Sequence, residues 1–337
     1  MKAWELRDYG LRNLKLVERP TPRPGPNELL VRVSAASLNY RDKALVDGNY
    51  LPDRMPKPLI PVSDAAGVVE EIGPGVTQFP EGARVTTHLF SRWIGGEPGP
   101  DEQEYCFGGP LPGGLADYMI IHEDAAVGAP DSLSDAEAAT LPIAALTAWF
   151  SLVDRGGLQA GQTVLVQGTG GVSIFAVQLA SAIGARVIAT SSSDEKLGRV
   201  KTLGAAEVIN YAKTPDWQEV ARDLTSGRGV DHVLDVVGGE SINRSIEAAR
   251  VGGHVAVIGF LGGQTASIDL MTMLLRRTRL RGIAVGHRKA FEEMNRFIEG
   301  NQIKPVIDST YPFADAIGAF EHLGRGAFGK IVIDVGG

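Results

Sequence analysis

A single cysteine, Cys106, serves all 337 residues, so no intrachain disulfide can form and a zinc site built mainly from thiolates is excluded by counting. A cationic surplus is also missing: 33 lysines and arginines stand against 40 aspartates and glutamates, for a net charge of −7. Binding to nucleic acid or anionic membranes rests on excess positive charge, and neither is expected here. No apolar run approaches the length that spans a bilayer, and the opening MKAWELRDYG lacks the apolar core of a secretory signal. These absences predict a cytoplasmic protein that acts on small molecules.

Glycine, by contrast, is abundant, and its densest cluster organises the chain. Residues 163–173 read TVLVQGTGGVS. Val164, Leu165 and Val166 form an apolar run suited to a buried parallel strand, and Gly168, Gly170 and Gly171 crowd the turn that follows. Ile174, Val177, Ala180 and Ile183 then share one helical stripe, with Gly184 placed for a left-handed cap. A glycine turn that opens a helix aims backbone N–H groups at an anion and lets a pyrophosphate approach without meeting a Cβ. Gly168, Thr169, Gly170, Gly171 and Val172 are the candidate cradle, with Ser173 in the last place of G-x-G-x-x-G. An ordinary strand-to-helix turn is the alternative for the motif alone.

Up to about residue 124, short β segments alternate with turns such as PTPRPGPN and PEG, which predicts a partly closed β-barrel. Residues 90–114 form a long Gly/Pro-rich loop. Residues 134–154 read as a helix capped by Ser134 with Glu137. Six apolar strands then alternate with helical segments, the last strand following a polar link, as a doubly wound parallel sheet requires. The expected division is 1–126 with 287–337 for the β domain, and 127–286 for an α/β dinucleotide domain.

The order of these domains, with AASLNYRD at 35–42, DAAGVVEEIGPGV at 64–76, AATLPIAALTAW at 138–149 and GTGGVS, resembles the medium-chain dehydrogenase/reductases over essentially the whole chain. The resemblance implies a six-stranded Rossmann sheet inserted into a GroES-like domain. Zinc-dependent members hold their catalytic metal with a cysteine, a histidine and a cysteine; the matching positions here carry Asn39, Ser63 and Ile143, none of which supplies a thiolate or imidazole. The chain therefore resembles the zinc-free quinone oxidoreductases and enoyl reductases, and no metal is expected. His88, His122, Asp42 and Asp64 remain as stray candidates, better read as core or surface groups.

The second strand of the dinucleotide unit ends in Ser191, Ser192 and Ser193, with no carboxylate before Asp194, leaving room for a 2′-phosphate. Lys196 or Arg199 can neutralise it. The resemblance agrees, matching Lys196 and Tyr211 to groups that contact that phosphate, so NADPH is the expected cofactor. Ser192 with Glu195 is also a candidate capping box. Val237 and Phe260 follow the ends of the fourth and fifth strands, where ligands bind in open sheets; by resemblance, Thr147 lies near the nicotinamide end, and Val285 with Gly286 and the FGK from Phe328 to Lys330 match segments that close over it. For the proton that must follow a hydride, Tyr40, Tyr50 and water are candidates; Tyr50 reads as a wall of the cleft more readily than as the acid, with Asn39 positioning cofactor or substrate. Without a Lewis acid, a conjugated carbonyl or quinone is the most suitable acceptor, because it delocalises the charge that develops on oxygen. Two alternatives stay open: an alcohol/aldehyde pair as substrate, and a redox-sensing protein that binds NADPH with little catalysis. The resemblance also implies a homodimer, paired through the edge strand LRGIAVG. The arginines of residues 276–281 read as a solvated or interfacial run.

Overall fold

The computed structural model describes residues 1–336, and the chain divides into two compact units, residues 1–146 with 287 onward, and 147–286. The first unit opens with an antiparallel pair, β1 (Lys2–Leu6) and β2 (Leu14–Glu18). β3 (Glu28–Leu38) is its longest strand and is buried over most of its length. After it come β4 (Asp64–Ile72), β5 (Arg84–Thr87), β6 (Tyr118–His122) and β7 (Ala126–Gly128). The division between units falls at Leu146/Thr147, later than the change of texture near 127. The physical reason is that β7 still pairs with β5, and the short helix Asp135–Ala138 packs on β3 and β4.

Residues 134–154 do not form the single helix expected. Ser134 and Glu137 do make their reciprocal cap, but the helix widens to π-type at Leu141–Ala145 and again at Phe150–Asp154, on either side of the α-helical Leu146–Trp149. Pro142 has no N–H to continue the ladder, and the Ile143 N–H donates instead to the Asp64 carboxylate at 3.2 Å.

The second unit holds β8 (Thr163–Gln167), β9 (Arg186–Ser191), β10 (Glu207–Asn210), β11 (Val230–Asp235), β12 (Ala249–Val257) and β13 (Arg279–Gly282). All neighbours are parallel, in the order β10-β9-β8-β11-β12-β13, a doubly wound sheet whose direction of winding reverses between β8 and β11. β8 and β11 are buried throughout, as strands covered on both faces must be. The supposed polar link before β13 contains a helix, Leu270–Arg276, capped by Asp269.

The chain returns to the first unit with the helix Arg288–Gly300, whose Phe291, Met294 and Ile298 are buried, then β14 (Ile307–Pro312) and β15 (Lys330–Asp334). β15 pairs with the second half of β3, while β6 pairs with the first half and β4 runs along the other edge. Splitting one edge of β3 between two partners curves the sheet into the partly closed GroES-like form and sets Lys330, at the start of β15, across from the end of β3. Among the described residues no helix is long and apolar enough to cross a membrane.

Candidate functional site

In the unit 147–286, Gly168 takes φ +74°, a left-handed conformation that side chains rarely adopt, and its N–H donates to the Thr190 carbonyl. The helix Gly171–Ile183 starts immediately afterwards, with Gly170 as its N-cap. A Cβ on Gly170 would meet nothing within 4 Å, so there is open space beside the turn at the start of this helix, whose first N–H groups have no partner within the helix itself. Ser173 fits the third glycine place because its hydroxyl donates to the Gln167 carbonyl at 2.7 Å, tying the helix to the strand. Residues 168–172 are therefore chemically suited to a pyrophosphate.

At the neighbouring strand ends, β10 pairs with β9 so that Asn210 lies opposite Ser191, which brings Tyr211 beside the serine run. Ser191 is buried, Ser192 exposed, Lys196 half-buried and Tyr211 exposed. The Ser192–Glu195 box does not form; Ser193 is the cap, accepting from the Lys196 N–H, because the strand continues to Ser191 and the helix begins at Asp194. Asp194, the first carboxylate available to a ribose, is taken by Lys213 at 2.5 Å and Asn210 at 2.6 Å. That Lys213 contact holds its carboxyl below the usual range.

The loops after β11 and β12 lie against each other: a Cβ on Gly259 would stand 2.0 Å from the Val236 carbonyl oxygen, and Gly262 N–H donates to the Val237 carbonyl. Buried Asp235 braces the first loop by accepting from the N–H groups of Val237 and Gly238 and from the Ser245 hydroxyl. Val237 and Phe260 are both half-buried in these loops. Thr147 is buried at the start of the unit, and its carbonyl accepts from Ser151. Val285 is buried with φ +60°, a strained conformation for a β-branched residue, and Gly286 is required because a Cβ there would stand 2.8 Å from the Phe150 ring.

The other unit holds a cluster of buried polar groups. Asn39 ends β3 and precedes the helix Tyr40–Val46. Its side chain donates to Asp64 Oδ2 at 2.9 Å and accepts from Lys330 Nζ at 2.6 Å. The same ammonium donates to the Leu38 carbonyl at 2.7 Å and stands 3.9 Å from Asp64 Oδ2. Burial pushes the Asp64 carboxyl up to about 7, against the pull of Lys330 and Asn39, and pushes the Lys330 ammonium down from its ordinary value. Asp42 accepts from the N–H groups of Asn39 and Ser63 and from the Ser63 hydroxyl, which makes it a backbone brace. Arg41 donates to Ser63 Oγ and to the Phe107 carbonyl, and its guanidinium lies 5.1 Å from the centre of the half-buried Tyr50 ring. Val62, before Ser63, is buried at φ +72°.

Lys330 was not singled out as a site residue by sequence reasoning, which took the segment 328–330 as nicotinamide-bordering; the signal was a lysine at the head of an otherwise apolar strand. Phe328 is buried, its N–H donating to Asp308. His88 is a core residue near the Phe291 ring, and His122 accepts from the Asp124 N–H. Cys106 is buried in the long loop, and burial pushes its thiol up to about 11, the reverse of activation.

Zinc does not fit this donor set. Asn39 and the Ile143 N–H converge on one carboxylate oxygen that a lysine already faces, and among the described residues no group of three or more His, Cys, Asp or Glu side chains could hold a metal ion.

A Rossmann unit interposed in a GroES-like β unit defines a pyridine-nucleotide oxidoreductase of the two-domain type. Comparison with known proteins agrees. The Zinc-binding dehydrogenase family matches residues 171–300 and the Alcohol dehydrogenase GroES-like domain family residues 25–131. A zinc-type alcohol dehydrogenase-like protein of Schizosaccharomyces pombe is 40% identical over 97% of this chain and 96% of its own. An NADPH-dependent alkenal/one oxidoreductase of Arabidopsis thaliana is 30% identical over 99% of this chain and 79% of its own. A crystal structure of an alcohol dehydrogenase candidate from Sinorhizobium meliloti 1021 superposes with a TM-score of 0.93 at 43% identity, covering 99% of this chain and 98% of that one. The chain belongs to the medium-chain dehydrogenase/reductase superfamily and is an NAD(P)H-dependent oxidoreductase.

Proposed function

We propose that the protein is an NADPH-dependent reductase of conjugated carbonyls or quinones that works without bound zinc. The observation that carries this reading is the filling of the metal-ligand positions by Asn39, Ser63 and Ile143, none a thiolate or imidazole, with Asn39 held between the Asp64 carboxylate and the buried Lys330 ammonium. Likeness to an alkenal/one oxidoreductase, 30% identical, supports the acceptor class; the zinc-type alcohol dehydrogenase-like protein is more similar in sequence, at 40%.

When bound, the dinucleotide supplies a hydride. Residues 168–172 would hold its pyrophosphate through backbone N–H groups at the helix N-terminus. Ser191, Ser192, Lys196 and Tyr211 would hold the 2′-phosphate; the engagement of Asp194 by Lys213 and Asn210 removes the carboxylate that would otherwise favour NADH. Thr147, Val237, Phe260, Val285 and Phe328 would border the nicotinamide. A conjugated acceptor needs little electrophilic help, and Tyr50, set by the Arg41 guanidinium, hands over the proton that completes the reduction. Asn39 acts as a positioning group, since both its amide ends are engaged inside the protein.

The chain acts as a homodimer in this reading. β13 is the edge of the sheet, and the helix Leu270–Arg276 beside it exposes Leu270, Met271, Leu274 and Leu275, each more than three-fifths exposed. Light scattering checks this by mass. Steady-state NADPH oxidation against enone, quinone and aldehyde panels tests the activity. Turnover is expected on enones or quinones and to fall about a hundredfold in Tyr50→Phe; turnover on aldehydes alone, or an unimpaired Tyr50→Phe, would contradict the assignment.

A further inference from the structure

We propose that Arg41 is a positioning residue that latches the long loop onto the acceptor side of the site, so that residues 107–109 form a fixed wall beside Tyr50. The inference deepens the reductase reading, in which Tyr50 meets the acceptor, and rests on it.

Arg41 is the half-buried second residue of the helix Tyr40–Val46, which begins after Asn39. Its planar guanidinium offers five N–H donors in a fixed fork, a geometry that an ammonium lacks. One arm, Nη1, donates to Ser63 Oγ and to the Phe107 carbonyl, the latter at 3.2 Å, and the other arm, Nη2, donates to the Gly109 carbonyl. The direction of this chain is set at its far end. Asp42 Oδ1 accepts the Ser63 N–H at 3.1 Å and the Ser63 hydroxyl at 3.2 Å, while Oδ2 accepts the Asn39 N–H, so Ser63 Oγ presents only lone pairs to Arg41. Helix start, Ser63 and loop are thus tied through one side chain.

The loop is also seated on the segment 60–63 by its backbone. Gly113 N–H donates to the Ile60 carbonyl at 2.7 Å, Gly114 N–H donates to the Val62 carbonyl at 2.8 Å, and a Cβ on Gly108 would stand 2.7 Å from the Ser63 nitrogen. Residues 107–109 are themselves buried, so losing the guanidinium would leave two of their carbonyls without the donor that compensates their burial. The same guanidinium lies 5.1 Å from the centre of the Tyr50 ring, which puts the latched segment next to the group that meets the acceptor. A guanidinium keeps its charge throughout the working pH range, so this latch does not open by titration.

Cys106, the only cysteine, is buried next to Phe107 and reports the state of the loop. In Arg41→Met its reaction with an uncharged aromatic disulfide should quicken about tenfold or more, as the loop leaves its seat. The sign decides the matter: burial pushes the thiol up while the Arg41 charge pulls it down, so removing that charge without moving the loop would slow the reaction. In the same variant KM for an enone should rise about tenfold with kcat changed far less, while NADPH affinity by calorimetry stays within about twofold. Should Arg41→Met fail to fold, Arg41→Lys, which keeps the charge and loses the fork, is expected to show the same pattern more weakly. A slower or unchanged thiol reaction, an unchanged KM, or an NADPH affinity that falls as far as KM rises would each overturn the proposal. No turnover of the unaltered protein on enones or quinones defeats the reductase reading instead, and the latch then stands or falls by the thiol reaction.

Discussion

In the unit 147–286 the candidate site is a run of consecutive main chain, Gly168 to Ser173, whereas in the other unit it is a set of side chains from distant segments, with Asn39 and Lys330 lying 291 positions apart. The first depends on what is missing: no Cβ stands where an anion would approach Gly170. The second depends on what is present, a buried positive group and the acceptors that compensate it. A steric site is spoiled by adding atoms, and an electrostatic one by removing a charge. Each unit also carries one strained valine close to its site, Val62 and Val285.

The comparison can be broken most forcefully at Gly170. Gly170→Val adds atoms into open space, so the unfolding temperature should hold within about 2 °C while NADPH affinity falls about a hundredfold or more. Equal loss of stability and binding, measured by calorimetry and thermal melts, would show that the turn is a packing feature.

Acid and alkali should act on the two units with opposite sign. His232 and His254 lie in contact inside the sheet of the second unit, and burial pulls each down from 6.5 to about 4, against the raising effect of Asp231 on His232 and together with Arg250, Arg279 and Arg281. Their folded value is below the unfolded one, so the unfolded chain takes up protons first. The stability they permit is complete above about 6.5 and is lost as the pH falls towards 4, on the order of a few kcal/mol for the pair. Asp64 is raised above its ordinary 3.8, so the folded chain holds the proton longer and its contribution is lost as the pH rises through about 7. Denaturant titrations at a series of pH values should show His254→Gln flattening the acid limb and Asp64→Asn the limb below neutrality. Unchanged limbs would mean that these groups titrate normally.

The smallest effect expected is at Lys196, which is only half-buried. Lys196→Ala should weaken NADPH by about tenfold and NADH hardly at all, a difference of about 1.4 kcal/mol. Equal losses would move the 2′-phosphate elsewhere.

The same contrast explains what was legible in the sequence. The turn at residues 168–173, the cap at Gly184 and the six strands could be read because each is written in neighbouring residues with a period or a required φ. The helix Leu270–Arg276 was missed because it is short and its leucines face outward, so it has no apolar stripe facing a core. The break in residues 134–154 was missed because its cause, a carboxylate that captures the Ile143 N–H, comes from Asp64. Lys330 was hidden for the same reason: one lysine before an apolar strand looks like a surface group until the pairing of β15 with β3 buries it.

The central claim is tested most directly by calorimetric titration of NADPH and NADH into protein shown by elemental analysis to be free of zinc. The account predicts one NADPH per chain, bound at least about tenfold more tightly than NADH. Binding of neither nucleotide at millimolar concentration, or tighter binding of NADH, would contradict it.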